Sequence, residues 1–484
     1  MRLRRIPGNA AAAFILLALV GCSGSSADGE ETGDGDHAES AEGSDAAPPD
    51  AGDAGTDGSS ADAEPPPAAP PHCGDGVLDP DEECDDGNRL DGDDCDWLCR
   101  LGPGEPVDDT PDPSVGDLEL DLSWISVVPS LPAAEVSYTR SLALLWTGSA
   151  YATVWNAHWR DPDGVRWDDA QFRLFDRLGR PGVPDWTYHY PDRVFTSLDL
   201  AWSGRFFGLV WRTENGEDPE RMLSAMILDA VGKPLVGPFT LIEDPGCGDA
   251  TVTWDGEAFA AVWVLEHGES PGIGIARFDE LGSIVVVLPS VYERPPDMGL
   301  TAWSASSPAA TVTAFIEQPL GGTGSDGRRL RWLVTGSGGR PLRPPAELGP
   351  NDVGPAAIAW GERHFAIVFG AGTSPYDTRG FHLALLDADG FLVGPPRRVL
   401  DHSNYGDVAL AWGAGGWAIA YEDWDHAVHL LRTDAAGTLI SAEATADPGT
   451  PLSGAVAMAF DGEGFGILTN RSPDVLFTRY VVVP

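Results

Sequence analysis

The chain is poor in positive charge. Across 484 residues, 30 Lys and Arg stand against 75 Asp and Glu, a formal charge of −45. Neutralising phosphates takes clustered cations, so nucleic acid is excluded as a partner, and anionic membrane surfaces are disfavoured for the same reason. Cysteine is scarce too: six in all, with only Cys247 beyond residue 99. The N-terminal apolar run, Ala10 to Val20, is too short to cross a bilayer as a helix. No Gly-x-Ser-x-Gly elbow, His-Glu-x-x-His helix or phosphate loop occurs, so the familiar hydrolase, metalloprotease and nucleotide-binding signatures are missing. Gly (59), Pro (41) and Trp (17) are plentiful, which suits many short strands and turns. With 42% hydrophobic residues the chain can bury a sizeable core.

Arg2, Arg4 and Arg5 precede the apolar run, so residues 1–21 read as an export signal. The run ends Leu19-Val20-Gly21-Cys22, which resembles the bacterial lipobox. That resemblance implies an acylated Cys22, a membrane reached through its acyl chains, and an exported lipoprotein at the outer membrane or cell surface. Each buried methylene contributes roughly 0.8 kcal/mol, so several chains anchor stably. The alternative is an ordinary secretory signal that happens to contain a cysteine. From Ser23 to His72 there is no Lys or Arg, and Ala, Gly, Ser, Pro, Asp and Glu dominate. Such a stretch cannot offset its ordering entropy, so residues 22–72 are expected to be a disordered acidic tether. Its span is on the order of 40 Å, more when charge stretches it.

Cys73, Cys84, Cys95 and Cys99 cluster in the next segment. In an oxidising compartment four clustered cysteines imply two disulfides, with all three pairings open. The segment runs Cys73-Gly-Asp-Gly to Cys84-Asp-Asp-Gly-Asn88, then through Cys95 to Cys99. It resembles the cysteine-rich repeat of myxobacterial surface proteins, which implies a stapled spacer or adhesion module over residues 73–99. Residues 100–117 read as a linker. No cofactor is expected, but Asp85, Asp86, Asn88, Asp91, Asp93 and Asp94 crowd the hard oxygen donors that Ca²⁺ takes. A metal-free acidic loop is the alternative, since Asp-Gly pairs also form plain turns.

Beyond the linker the chain repeats. Trp146, Trp202, Trp254, Trp303, Trp360, Trp412 and Phe460 are spaced by 56, 52, 49, 57, 52 and 48 residues. Most are followed nine residues later by Trp155, Trp211, Trp263, Phe369 or Tyr421; an insertion delays the fourth to Phe315, and the seventh position is Thr469. Period-2 alternation around a Gly turn predicts a β-hairpin, and a second hairpin follows in most units. Seven four-stranded units predict an all-β, seven-bladed β-propeller over residues 118–484. The units resemble the Trp-Asp-Gly repeats of bacterial surface propellers, and they lack the kelch, WD40 and sialidase-like signatures. The last unit has room for three strands only, so the apolar stretch ahead of Ser137 is expected to complete it.

Within a blade, the 1–2 and 3–4 turns lie at one end and the 2–3 and 4–1 connections at the other. The second set is long here, and loops on a rigid scaffold carry binding residues. Aromatics collect there, and Trp159, Trp167, Tyr188, Tyr190, Tyr376, Tyr405 and Trp424 are the candidate ligand-binding residues. The functional expectation is a monomeric, non-enzymatic, lipid-anchored surface protein whose propeller binds a protein or glycan. The alternative is a polysaccharide hydrolase or lyase using Asp161, Asp163, Asp168 and Asp407. His426 and His429 would point to opposite faces of a strand, which argues against a metal pair. Cys247 is expected to be a free thiol near a 4–1 link.

Overall fold

The computed structural model describes residues 118–127, 136–137, 141–160, 166–182, 186–189, 193–215, 222–244, 246–267, 271–320, 327–350, 353–374, 377–400, 407–423, 427–441, 443–446, 455–471 and 474–483. Cys22, the cysteine module (Cys73, Cys84, Cys95, Cys99) and the candidate Ca²⁺ set (Asp85, Asp86, Asn88, Asp91, Asp93) lie outside them.

Seven antiparallel sheets follow one another along the chain. In the third, Cys247–Trp254, Phe259–Leu265, Gly272–Phe278 and Ile284–Glu293 pair in chain order. The innermost strands of the seven are Leu142–Trp146, Arg193–Trp202, Cys247–Trp254, Met298–Ser306, Val353–Trp360, Val408–Gly413 and Val456–Phe460. Each packs against the innermost strand on either side, and Val456–Phe460 packs against Leu142–Trp146. That last contact closes the ring. The protein is an all-β, seven-bladed β-propeller.

The seventh blade is shared between distant parts of the chain. Gly464–Arg471 and Asp474–Val482 follow its inner strand, and Leu118–Ser126 takes the fourth place. Pairing runs antiparallel from Leu118↔Val482 to Ser126↔Leu476. The Thr478 hydroxyl donates to the Leu122 carbonyl at 2.6 Å, and Arg479 pairs with Asp121. Without this strand Asp474–Val482 would present unpaired backbone groups to solvent.

Second strands are buried on both faces, hence their near-continuous apolar sequence; all seven residues of Phe259–Leu265 are buried. The anchor aromatics are only partly buried, and the rings after the turn go deeper: Tyr151, Phe207, Phe259, Phe365, Trp417 and Phe465 are all fully enclosed. Each pairs with its anchor, Trp146, Trp202, Trp254, Trp360, Trp412 and Phe460 in turn, at 4.3 to 4.9 Å between centroids. Such a pair contributes about 0.5–1.5 kcal/mol beyond its area.

The short turns explain part of the acidity. In the 3–4 turns Asp176, Asp229, Asp279, Asp387 and Asp434 each accept backbone N–H bonds from the residues two and four ahead, at 2.7 to 3.0 Å. A glycine with positive φ follows three residues later. At Gly232 (φ +80°) a Cβ would lie 2.1 Å from Phe172 of the preceding blade, so the turn is also an inter-blade joint. In the 1–2 turns the same capping falls to Thr147, Ser203, Asp255, Ser307 and Asp461. The Asp of the Trp-Asp-Gly repeat is thus a turn cap. Asp255 and Asp461 further hold buried Arg277 and Arg479 from their third strands.

Candidate functional site: the long-connection end of the ring

At the end opposite the short turns, stretches expected as long loops are largely strand. In blade one the inner strand stops at five residues, while Tyr151–Arg160 and Arg166–Phe175 run on as a projecting hairpin. Val136–Ser137 pairs onto its extension. Trp159 lies opposite Trp167 in this hairpin, and His158 opposite Asp168. In blade five Phe365–Ser374 and Asp377–Leu386 project in the same way, paired out to Ser374↔Asp377. A strand pair fixes the direction of its tip far better than a free loop does.

One candidate is corrected. Tyr188 is not on a loop but in the fourth strand of blade one, Trp186–His189. Its ring is buried, and its hydroxyl donates to the Gly232 carbonyl of blade two at 2.6 Å. Burial raises its pKa above the usual tyrosine value. It is an inter-blade strut, matched by Trp332, whose Nε1 donates to the Gly390 carbonyl at 2.9 Å. Tyr190, Tyr376, Tyr405 and Trp424, with Asp161 and Asp163, lie outside the described residues.

The structure adds a cluster in blade six that sequence reading passed over. At its long-connection end His429 Nε2 lies 2.7 Å from Asp423 Oδ2, and Nδ1 contacts Glu443. The Tyr421 hydroxyl donates to Glu443 at 2.5 Å, and the Tyr421 and His429 rings stack at 4.9 Å. Burial lowers the His429 pKa, but the bonds to Glu443 and Asp423 outweigh it and hold the imidazole above the usual histidine value. Charged, it donates from both nitrogens. The cluster staples the fourth strand to the blade, and both ring nitrogens are engaged. Beside it Asp407 keeps an open face to solvent, yet surrounding protein and the charge of Glu422 push its carboxyl up to about 6. The signal in sequence was the Asp423-to-His429 spacing across one hairpin; Glu443 immediately precedes the fourth strand, Ala444–Ala446.

Two equivalent positions are filled otherwise. In blade four Arg331 replaces the histidine and bonds the Tyr292 hydroxyl at 2.8 Å and Glu317 at 3.2 Å. In blade five His382 stacks on Phe369, and burial with the charge of Arg398 depresses its pKa to about 3. Near the central axis Asp199 accepts from Leu200 N–H and from Val252 N–H of the next blade at 2.9 and 2.8 Å. Burial pushes it up to about 6 despite those two bonds. Cys247 opens the inner strand of blade three with its thiol fully buried. Among the described residues no group of three His, Cys, Asp or Glu is arranged to hold a metal ion.

No family model matches the chain, and no curated protein matches it. Solved structures resemble it distantly. The β-propeller domain of the Trilobed protease from Pyrococcus furiosus, with an open velcro topology, is 12% identical at a TM-score of 0.40, over 71% of this chain and 95% of that one. The WD40 domain of Toxoplasma gondii coronin is 12% identical at 0.42, over 77% and 89%. A subtype N10 neuraminidase-like protein of a little yellow-shouldered bat influenza A virus is 10% identical at 0.38, over 61% and 97%. These likenesses concern the fold alone.

Proposed function

We propose that the chain is a non-enzymatic, lipid-anchored surface protein whose propeller binds a protein or glycan at its long-connection end. The observation that carries this reading is the contrast between the two ends. The short turns are closed by their own Asp, Ser and Thr caps, whereas the other end extends paired hairpins beyond the ring in blades one and five. Trp159 and Trp167, in register across the first hairpin, are the residues on which the reading turns. Aromatic rings supply large contact area at small entropic cost, for a protein hot spot or a sugar face. The test is binding of the purified full chain on glycan arrays and to extracellular proteins, compared with Trp159→Ala/Trp167→Ala. Loss of at least tenfold with an unchanged unfolding midpoint is expected; equal binding by both chains contradicts the reading.

A second reading, hydrolysis or cleavage of a polysaccharide, is favoured by one observation. Asp407, raised to about 6 beside buried Glu422, is a carboxyl that can hold a proton near neutral pH. Asp407→Asn abolishing release of reducing ends from an extracellular polysaccharide would favour it over simple binding.

A further inference from the structure

Eleven large hydrophobic side chains are exposed among the described residues, and nine of them lie on the 3–4 hairpins of blades one to five. The positions repeat. Leu178, Val231 and Leu281 each precede the turn glycine, and Leu342 and Phe391 follow theirs closely. Leu281 is 74% exposed, Leu342 61% and Phe391 59%. Because each 3–4 turn packs against the preceding blade, these residues form an arc around one rim of the ring. Scattered exposed leucines need no explanation, but recurrence at one register in blades one to three, continued by an exposed apolar residue near the same turn in blades four and five, does.

Cations are interleaved with the arc. Arg180, Lys233 and Arg340 each follow a turn glycine and are exposed, and the Arg343 guanidinium lies 3.8 Å above the Phe391 ring. The Asp residues of these turns are occupied in capping, and Asp389 is the exposed exception. Glu257, Glu362 and Glu463 in the 1–2 turns of the same end are exposed too, so the rim offers apolar contact flanked by groups of both signs.

The same rim is where the N-terminal part of the chain enters. Leu118 pairs with Val482, at the end where a 3–4 turn of blade seven would stand. The stretch ahead of Leu118, which includes Cys22, thus reaches the ring at its short-turn end, and Leu120 beside that entry is exposed as well.

The geometry points to the short-turn rim as a lipid-facing surface: Leu178, Val231, Leu281, Leu342 and Phe391 rest in the interface of a zwitterionic bilayer, with the flanking cations at its phosphates. The inference rests on lipid anchoring at Cys22, which would tie to a membrane the segment that precedes Leu118. Apolar side chains bury into the headgroup boundary while Arg and Lys keep their heads at the phosphates. A strongly anionic surface would repel the chain as a whole, so a phosphatidylcholine-like surface is the occupant.

The test is flotation of the full chain with phosphatidylcholine vesicles. The Cys22→Ser chain cannot be acylated, and it is compared with the same chain carrying Leu281→Ser, Leu342→Ser and Phe391→Ser. Both retain the same signal segment, so the difference reads the rim. The three side chains are exposed, and matching unfolding midpoints verify the fold. A floated fraction at least fivefold lower for the triple variant is expected. Equal flotation of the two chains overturns the inference, as does a triple variant that only converts a dimer to a monomer in sedimentation. The mass of the N-terminal peptide from wild-type cells tests the anchor separately: an unacylated Cys22 with rim-dependent flotation sinks the anchor and leaves the rim standing.

Discussion

His382 and His429 hold the same register position in successive blades, opposite Phe369 and Tyr421, and titrate in opposite directions. Partners decide the sign. His382 is buried near Arg398 and stays neutral, whereas His429 lies between Asp423 and Glu443 and is held charged. A histidine whose folded pKa is raised stabilises the fold fully below its ordinary 6.5, and that contribution is lost as pH rises through the folded value. His429→Gln is therefore expected to lower stability by about 1–2 kcal/mol at pH 6 and by less at high pH. The check is urea unfolding at a series of pH values; a pH-independent difference contradicts the assignment.

His382 works the other way. Its depressed pKa means that stability present above 6.5 is lost as pH falls toward about 3. Replacing His382 with Gln removes the titration and should flatten the acid limb of the stability profile between those values. An acid limb of unchanged slope would show that His382 does not contribute.

Asp461 joins the ends of the ring. It receives the Tyr151 hydroxyl of blade one at 3.0 Å, Arg177 of blade one at 3.1 Å, and Arg479 at 2.7 Å. Burial would raise its pKa, but Arg479, the Glu463 and Gly464 N–H groups and Tyr151 together hold it below the usual carboxylate range. Asp461→Ala removes a buried partner of Arg479, which keeps Asp121, and leaves the Tyr151 hydroxyl without its acceptor, so it is expected to cost about 3 kcal/mol. Asp279→Ala, which removes only a turn cap, should cost about 1–2 kcal/mol. Urea midpoints for the two variants measure the difference, and equal costs would contradict a special role for the closing blade.

Gly232 and Gly148 separate backbone strain from packing. Both have positive φ, but a Cβ at Gly148 meets nothing within 4 Å, whereas at Gly232 it meets Phe172. Gly148→Ala should cost about 1 kcal/mol from backbone alone. Gly232→Ala should cost at least about 2 kcal/mol, since Phe172 must shift as well. Thermal midpoints of the two variants are the measurement.

Much of the ring is legible in sequence because its signals are local. The anchor aromatics and the Gly turns between alternating runs lie within a few residues of what they specify, and the shortage of one strand in the last unit is visible by comparison with the other six. Asp176, Asp229, Asp279, Asp387 and Asp434 form an equally local Asp-x-x-Gly repeat, masked by the abundance of acidic residues throughout the chain. Tyr188 was not legible. Between Gly- and Pro-rich stretches it looks like a loop aromatic, and its partner Gly232 is 44 residues away in another blade. The His429 staple is hidden for a related reason: Asp423 is six residues away across a hairpin, and Glu443 lies just ahead of the following strand.

Under the two proposals the ends of the ring face different neighbours, and side-chain footprinting on intact cells tests that most directly. With oxidative labelling read by mass spectrometry, Trp159 and Trp167 are expected to label freely on intact cells, while Leu281, Leu342 and Phe391 label only after detergent removes the lipid. Equal labelling of both sets before and after detergent would contradict it.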